Sequence, residues 1–255
     1  MIRLAKRNAA GGALALIATA LITTPSPAQT ATHLRLLEAT VAMARTSSVT
    51  GREQQAMEHV RELLAGLDVR SDALGSLTVT IGSGEPRRLI TAPLDEPGYV
   101  VSRIDEAGYL RLTPVGQRYR TTLAHQALEG NEVTVVTGTG IVPGAVGAPS
   151  AHLTSFARES VAQWAPFAWQ EMYVDVGAGG AGEAGAMGIR LMDTVTLIKR
   201  PTVLRGEAVA APSAQTKAAA VALAEAAHRI AASPGSGTTV VAWTALGLLN
   251  GKGLE

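Results

Sequence analysis

Residues 91–100 constrain the fold more than any other stretch. Leu89-Ile90-Thr91-Ala92 reads as a short buried strand, and Pro93-Leu94-Asp95-Glu96-Pro97-Gly98 follows it at once. Taken on residue types alone, Asp95-Glu96-Pro97-Gly98 is a polar turn.

Before this stretch, His33 to Arg45 carries Leu34, Leu36, Leu37, Val41 and Met43 at helical spacing. Thr46 to Gly51 is a loop, and a second helix places Met57, Val60, Leu63 and Leu64 on one face. Val69 to Gly82 alternates as a strand, and Gly82-Ser83-Gly84-Glu85-Pro86 reads as a hairpin turn into residues 89–92. From Tyr99 to about Val146 the pattern becomes short alternating strands broken by Gly108, Gly130 and Gly138, the pattern of a small β-barrel or sandwich. Ala151 to Gln170 is read as a short helix and loop whose Trp164, Phe167 and Trp169 form local core, and Tyr173 to Gly177 as a strand. Gly177 to Gly182 is a flexible loop that lacks the Lys-Ser/Thr of a phosphate loop. The Ala-rich stretch Lys217 to Ala232 is a strong helix by propensity, followed by a β-branched strand at Thr238 to Thr244.

Composition narrows the function classes. The 255 residues are 47% hydrophobic and 17% charged, enough for one large domain or two smaller ones with real cores. A formal net charge of +1, with no Lys/Arg cluster beyond the first residues, makes no electrostatic case for nucleic acid. Arg3, Lys6 and Arg7 precede the apolar run Ala9 to Ile22, and Pro25-Ser26-Pro27-Ala28 ends it with small residues. That order is a signal peptide cleaved after Ala28, giving an exported protein, periplasmic or secreted, with no membrane attachment once the signal is removed. There is no cysteine, which excludes disulfides, thiolate zinc sites and a cysteine nucleophile; any metal would need His, Asp or Glu.

Five segments in order resemble the dinuclear zinc aminopeptidases, the glutamyl and tetrahedral aminopeptidases among them. Ser48-Val49-Thr50-Gly51-Arg52-Glu53 is similar to their Ser-Gly-Arg-Glu loop. Asp72 to Leu77 is similar to their Asp-x-Leu-Gly-Asn-Leu turn, and Ala92 to Tyr99 to Ala-His-x-Asp-Glu-x-Gly-Phe. Tyr173 to Ala178 is similar to Tyr-x-Asp-x-Gly-Ala, and Gly188 to Leu191 also fits. The resemblance implies a peptidase-like α/β/α sandwich interrupted by an inserted small β-barrel domain. Its expected bounds are a signal peptide at 1–28, a split α/β domain at 29–98 and 205–255, and a β-rich insertion at 99–204. It also implies peptides as ligands and a homo-oligomer through the inserted domain.

In that family two zinc or cobalt ions activate a water, and a glutamate is the general base. Carried over by position, the first histidine falls on Pro93, which has no donor atom, and Asp95 is the aspartate that would orient it. The bridging aspartate falls on Ala214, inside Ala208 to Ala224, which has no Asp, Glu or His; Ser213 or Thr216 there is expected to cap the helix. The base-and-ligand glutamate pair falls near Leu248, inside Arg229 to Leu254, again without Asp, Glu or His. The later ligands would lie beyond Glu255. Asp95 and Glu96 are therefore a vestigial motif, and no catalytic, metal or cofactor residue is assigned. Of the five histidines, His33, His59 and His228 fall on helices, exposed or at helix ends. His152 lies in a segment similar to a Pro-His segment of the family, and none of the five, His125 included, has His-x-x-x-His spacing. The expectation is an exported relative that has lost metal binding and catalysis, with a binding or assembly role. The alternatives are an active metallopeptidase with displaced or partner-supplied ligands, and an incomplete gene product of the family.

Overall fold

The computed structural model describes residues 27–116, 122–148 and 169–254. The expected signal peptide lies outside these residues except for Pro27 and Ala28, which begin the first helix; so does the segment 151–170, with His152, Trp164 and Phe167, apart from Trp169 and Gln170. Among the described residues no helix is long and apolar enough to cross a membrane.

Two helices open the fold: α1 (Pro27–Ala44) and α2 (Gln54–Leu63). In α2, Ala56, Met57 and Val60 recur at helical spacing and are buried together. Next come β1 (Val69–Ser71), β2 (Leu77–Ser83) and β3 (Arg87–Pro93). The stretch expected as one strand from Val69 is broken by a turn. The Asp72 side chain accepts hydrogen bonds from the Leu74 and Ser76 N–H groups, each at 2.9 Å, and reverses the chain so that β1 pairs antiparallel with β2.

The hairpin expected at Gly82–Pro86 does not form. The sheet order is β1-β2-β12-β3, so β12 (Gly237–Thr244) lies between β2 and β3. It runs antiparallel to β2 and parallel to β3. A parallel neighbour needs a crossover connection, and here that connection contains the barrel and helix α5 (Ala214–Ala232). The β-branched run Thr238 to Val241 takes the central position, where both flanks are hydrogen-bonded.

The register puts Leu77, Val79, Val241, Trp243 and Ala92 on one face, and α1, α2 and α5 form the layer over it. Trp243 is fully buried, and its indole N–H donates to Ala220 O of α5 at 3.0 Å. Residues 89–92, expected as a buried strand, are only partly so. Ala92 is buried under the helices, but Leu89 is 60% exposed, because it pairs with Val240 on the opposite face of the sheet and β3 is the edge strand.

Between β3 and α5 the chain builds a closed barrel. Its strands are β4 (Gly98–Ile104), β5 (Leu110–Val115), β6 (Glu132–Thr137), β7 (Gly140–Gly147), β8 (Tyr173–Asp175) and β9 (Thr194–Leu197), in the order β4-β5-β8-β7-β6-β9. The short helices α3 (Thr122–Gln126) and α4 (Ala181–Ala186) lie along it. A second core of Val101, Leu110, Val135, Val174 and Val195 fills its interior, as alternation along small barrel strands requires. The glycine-rich stretch 177–182 is pinned at both ends: Asp175 accepts from Gly177 N and Glu183 from Gly179 N, each at 2.8 Å. A small hairpin, β10 (Thr202–Leu204) with β11 (Ala208–Ala210), leads back to α5. The architecture is the expected one: a mixed sheet layered with helices, interrupted by an inserted six-stranded barrel.

Candidate functional site

The site lies where five chain segments meet. The loop 46–53 and residues 94–97 run side by side through a parallel bridge from Val49 to Glu96. Thr50 N donates to Glu96 O at 3.1 Å and Glu96 N to Ser48 O at 2.9 Å. Gly98 permits this approach, since a Cβ there would stand 2.6 Å from a methyl of Val49. Lys199, on the return from the barrel, Lys217, in the first turn of α5, and residues 246–248, after β12, complete the ring.

The polar turn expected at Asp95-Glu96 is not solvated. Asp95 is 3% exposed and Glu96 1%. Burial without partners would be costly, and partners are present. Asp95 Oδ2 accepts from Thr50 Oγ1 at 3.0 Å and from Leu248 N at 2.8 Å. Its Oδ1 is buried with no hydrogen-bond partner among the described residues. This oxygen lies beside Pro93: a Cβ built on Gly247 would come within 2.6 Å of Pro93 Cβ and 2.8 Å of Asp95 Oδ1. Proline offers it no N–H.

Glu96 is the centre of a buried charge cluster. Its Oε1 accepts from Ser48 N at 2.9 Å, and its Oε2 accepts from Lys199 Nζ at 2.7 Å. Lys217 Nζ lies 3.9 Å from the same Oε2 and donates to Ser48 Oγ, which in turn donates to Leu94 O at 2.7 Å. Glu53, also buried, accepts from Gly51 N and Leu246 N, each at 3.0 Å. Burial pushes Lys217 down to about 8 from the usual lysine range, against the attraction of Glu96. It is still an ammonium at neutral pH. Ser48 and Lys217 make the contact that an activated serine would need, but both are fully buried and meet no substrate in this arrangement.

Beside the cluster opens a cavity of about 620 Å³. Tyr99, Leu112, Val133 and Val195 from the barrel form its apolar wall, and Asp95 and Lys199 its charged floor. Behind the Tyr99 wall, Tyr99 OH and the buried His125 Nδ1 are 2.7 Å apart, and burial holds the His125 pKa down. The cavity also receives Ala214 and Leu248. The positions singled out in the sequence are thus brought together: Asp95, Ala214 and Leu248 line one cavity, Pro93 abuts Asp95, and Glu96 faces the adjoining cluster.

Metal chemistry needs carboxylate or imidazole donors converging on an open position. Pro93, Ala214 and Leu248 bring no donor side chain, and the carboxylate of Glu96 is already engaged by Lys199. Among the described residues, no group of three or more His, Cys, Asp or Glu side chains could hold a metal ion. The residues present do not fit the dinuclear centre. The expected cap of α5 also differs. Ser213 occupies the N-cap position in a left-handed conformation, φ 58°, instead of the extended backbone of a capping residue, and it makes no side-chain cap bond.

Ser48, Thr50, Glu53, Lys199 and Lys217 were not assigned site roles from sequence. A signal existed for Lys217: it shares the buried face of α5 with Ala220, Val221, Ala224 and Ala227, so a lysine stands where the spacing calls for an apolar residue. The histidines divide. His33 pairs with Glu207 at the surface, His59 lies 3.6 Å from Glu62, and His228 is half-buried with Nε2 2.9 Å from Leu63 O.

Comparison with known proteins agrees with the architecture. The putative aminopeptidase FrvX of Escherichia coli (strain K12) is 29% identical over 157 residues, 58% of this chain and 40% of that protein. The lysyl aminopeptidase of Pyrococcus furiosus is 33% identical over 124 residues, 49% of this chain and 34% of that protein. These matches span two fifths or less of each relative's length. The Pyrococcus horikoshii TET1 peptidase, which can assemble into a tetrahedron or a large octahedral shell, superposes with a TM-score of 0.74 at 29% identity, covering 86% of this chain and 63% of that one. A TET aminopeptidase from a marine-sediment thaumarchaeon shares the fold, with a TM-score of 0.76 at 23% identity over 86% of this chain and 61% of its own. The M42 glutamyl aminopeptidase family matches residues 75–246, through both halves of the sheet and the barrel between them, and the chain belongs to that family.

Proposed function

We propose that this chain is an exported M42-family protein that has lost metal binding and catalysis and keeps the peptidase fold for binding or assembly. The observation that carries this reading is the content of one cavity. Ala214 and Leu248 line it and Pro93 abuts its Asp95, none of them with a metal-donor side chain, while lysine ammoniums stand among the neighbouring carboxylates. Losing donors at three separated points of the chain removes the Lewis acid and the base together. The apolar wall suits the side chains of a bound peptide. Ile141, Leu191 and Met192, all more than half exposed on the inserted region, are candidates for contact between copies. The leader read in residues 1–28 supports export.

Metal analysis of the purified protein, combined with an assay on aminoacyl substrates, tests the central claim. The expected result is substoichiometric zinc and cobalt and no hydrolysis, with or without added metal. Near-stoichiometric metal with turnover would refute it. Light scattering and cell fractionation test assembly and export separately.

A further inference from the structure

The cavity of about 620 Å³ has the size of a small-molecule site, roughly 300–1,000 Å³. Its apolar wall offers side chains but no backbone. Tyr99 pairs with Pro114 on one flank and Val195 on the other, Val195 with Tyr99 and Val135, and Val133 with Gly144 and Leu197. An extended peptide cannot add itself there as a further strand. The floor carries charge but none to spare. Lys199 Nζ is 2.7 Å from Glu96 Oε2, and its side chain is 7% exposed. Asp95 Oδ2 is held by Thr50 Oγ1 and Leu248 N, and the unpartnered Oδ1 lies beside Pro93 and Gly247, neither of which lines the cavity. A ligand carboxylate would have to draw Lys199 away from the buried Glu96. A ligand ammonium would meet the Lys199 ammonium and an Asp95 that is 3% exposed. Either charge would leave water without gaining a partner, which is costly. The start of α5 adds Ser213, Gln215 and Thr216 to the lining, polar side chains without charge.

We propose that this cavity binds an uncharged hydrocarbon group, bare or with a neutral polar end, and rejects free ammonium and carboxylate groups. The inference rests on the binding reading above and names its ligand class. The apolar wall takes the hydrocarbon, and the α5 side chains suit a hydroxyl or amide at its end. Such a group has two sources: a small neutral molecule, or an apolar side chain of a peptide whose charged termini lie elsewhere.

Calorimetric titration at neutral pH with hexanol, hexylamine and hexanoate compares one hydrocarbon carrying three end groups. Hexanol should bind at least about tenfold tighter than either ion. N-acetyl-leucinamide and leucinamide put the same contrast on an amino acid and identify the source. Binding of the acetylated amide points to a side chain within a peptide, and binding of hexanol alone to a small molecule. A214W fills the cavity from α5 and should abolish binding of the neutral probes. L248W fills it from the segment after β12 and decides if A214W does not fold. Three results overturn the proposal: either ion binding as tightly as hexanol, no neutral probe binding at millimolar concentration, or neutral binding that survives in a folded filling variant. None of them touches the metal-free reading, which near-stoichiometric zinc with turnover refutes separately.

Discussion

Replacing Glu96 with Gln isolates the electrostatics of the site while keeping its shape. The wild-type carboxylate is 1% exposed, accepts from Ser48 N at 2.9 Å and Lys199 Nζ at 2.7 Å, and has Lys217 Nζ 3.9 Å away. In E96Q one oxygen can still accept from Ser48, but the amide NH₂ then faces the Lys199 ammonium, donor against donor. Removing one partner of a buried pair costs about 3–5 kcal/mol, because the other charge stays buried and uncompensated. For a chain of this size that corresponds to a fall in Tm of roughly 6–20 °C. With a urea m-value of about 2 kcal/mol/M, the same loss moves the midpoint by roughly 1.5–2.5 M. Circular dichroism against urea and temperature measures both. An exposed pair makes the control: Asp68 and Arg70 lie 3.3 Å apart with both side chains more than three-quarters exposed, so D68N should change stability by no more than about 1 kcal/mol. If E96Q were no worse than D68N, the cluster would not be the tightly coupled, water-excluded unit its geometry implies.

Three other outcomes are expected. Burial holds Lys217 down to about 8 in the folded chain, against the ordinary lysine value of 10.5 when exposed. Between those values the unfolded chain holds the extra proton, so stability rises with pH, by about 3 kcal/mol over the full window. The groups facing it are Glu96, Lys199, Asp95 and Glu53. The urea midpoint of wild type relative to K217M should therefore increase between pH 7.5 and 9.5, and a flat difference would contradict it. W243A should cost about 3–5 kcal/mol in equilibrium unfolding, since it empties the centre of the core under α5 and leaves Ala220 O without its indole donor. P93H should place an imidazole beside Asp95 Oδ1 yet confer no zinc binding by calorimetry, because Ala214 and Leu248 still offer no ligand; micromolar zinc affinity would show that more of the centre survives than these positions indicate.

The expected elements formed wherever local pattern and burial agreed: α2, the alanine-rich α5, the short barrel strands and the β-branched β12. Reading failed where a non-local partner decided. The glycine- and proline-rich stretch 82–86 looks like a hairpin, but β12, more than 140 residues on, offers β2 and β3 a better neighbour than each other. Asp95-Glu96 looks like a solvated turn, and local composition could not reveal that Ser48, Thr50 and Lys199 would close over it.

By itself the sequence determined the type of most elements, the presence of an inserted β-rich segment, and the absence of metal-donor side chains at Pro93, Ala214 and Leu248. Those are properties of residue type and spacing. Only the tertiary structure decided the sheet order, the closure of the barrel, and the place of two lysines among three buried carboxylates. Charge compensation in a low-dielectric interior depends on separations of a few ångströms between residues as distant as Ser48, Glu96, Lys199 and Lys217, and only folding sets those separations.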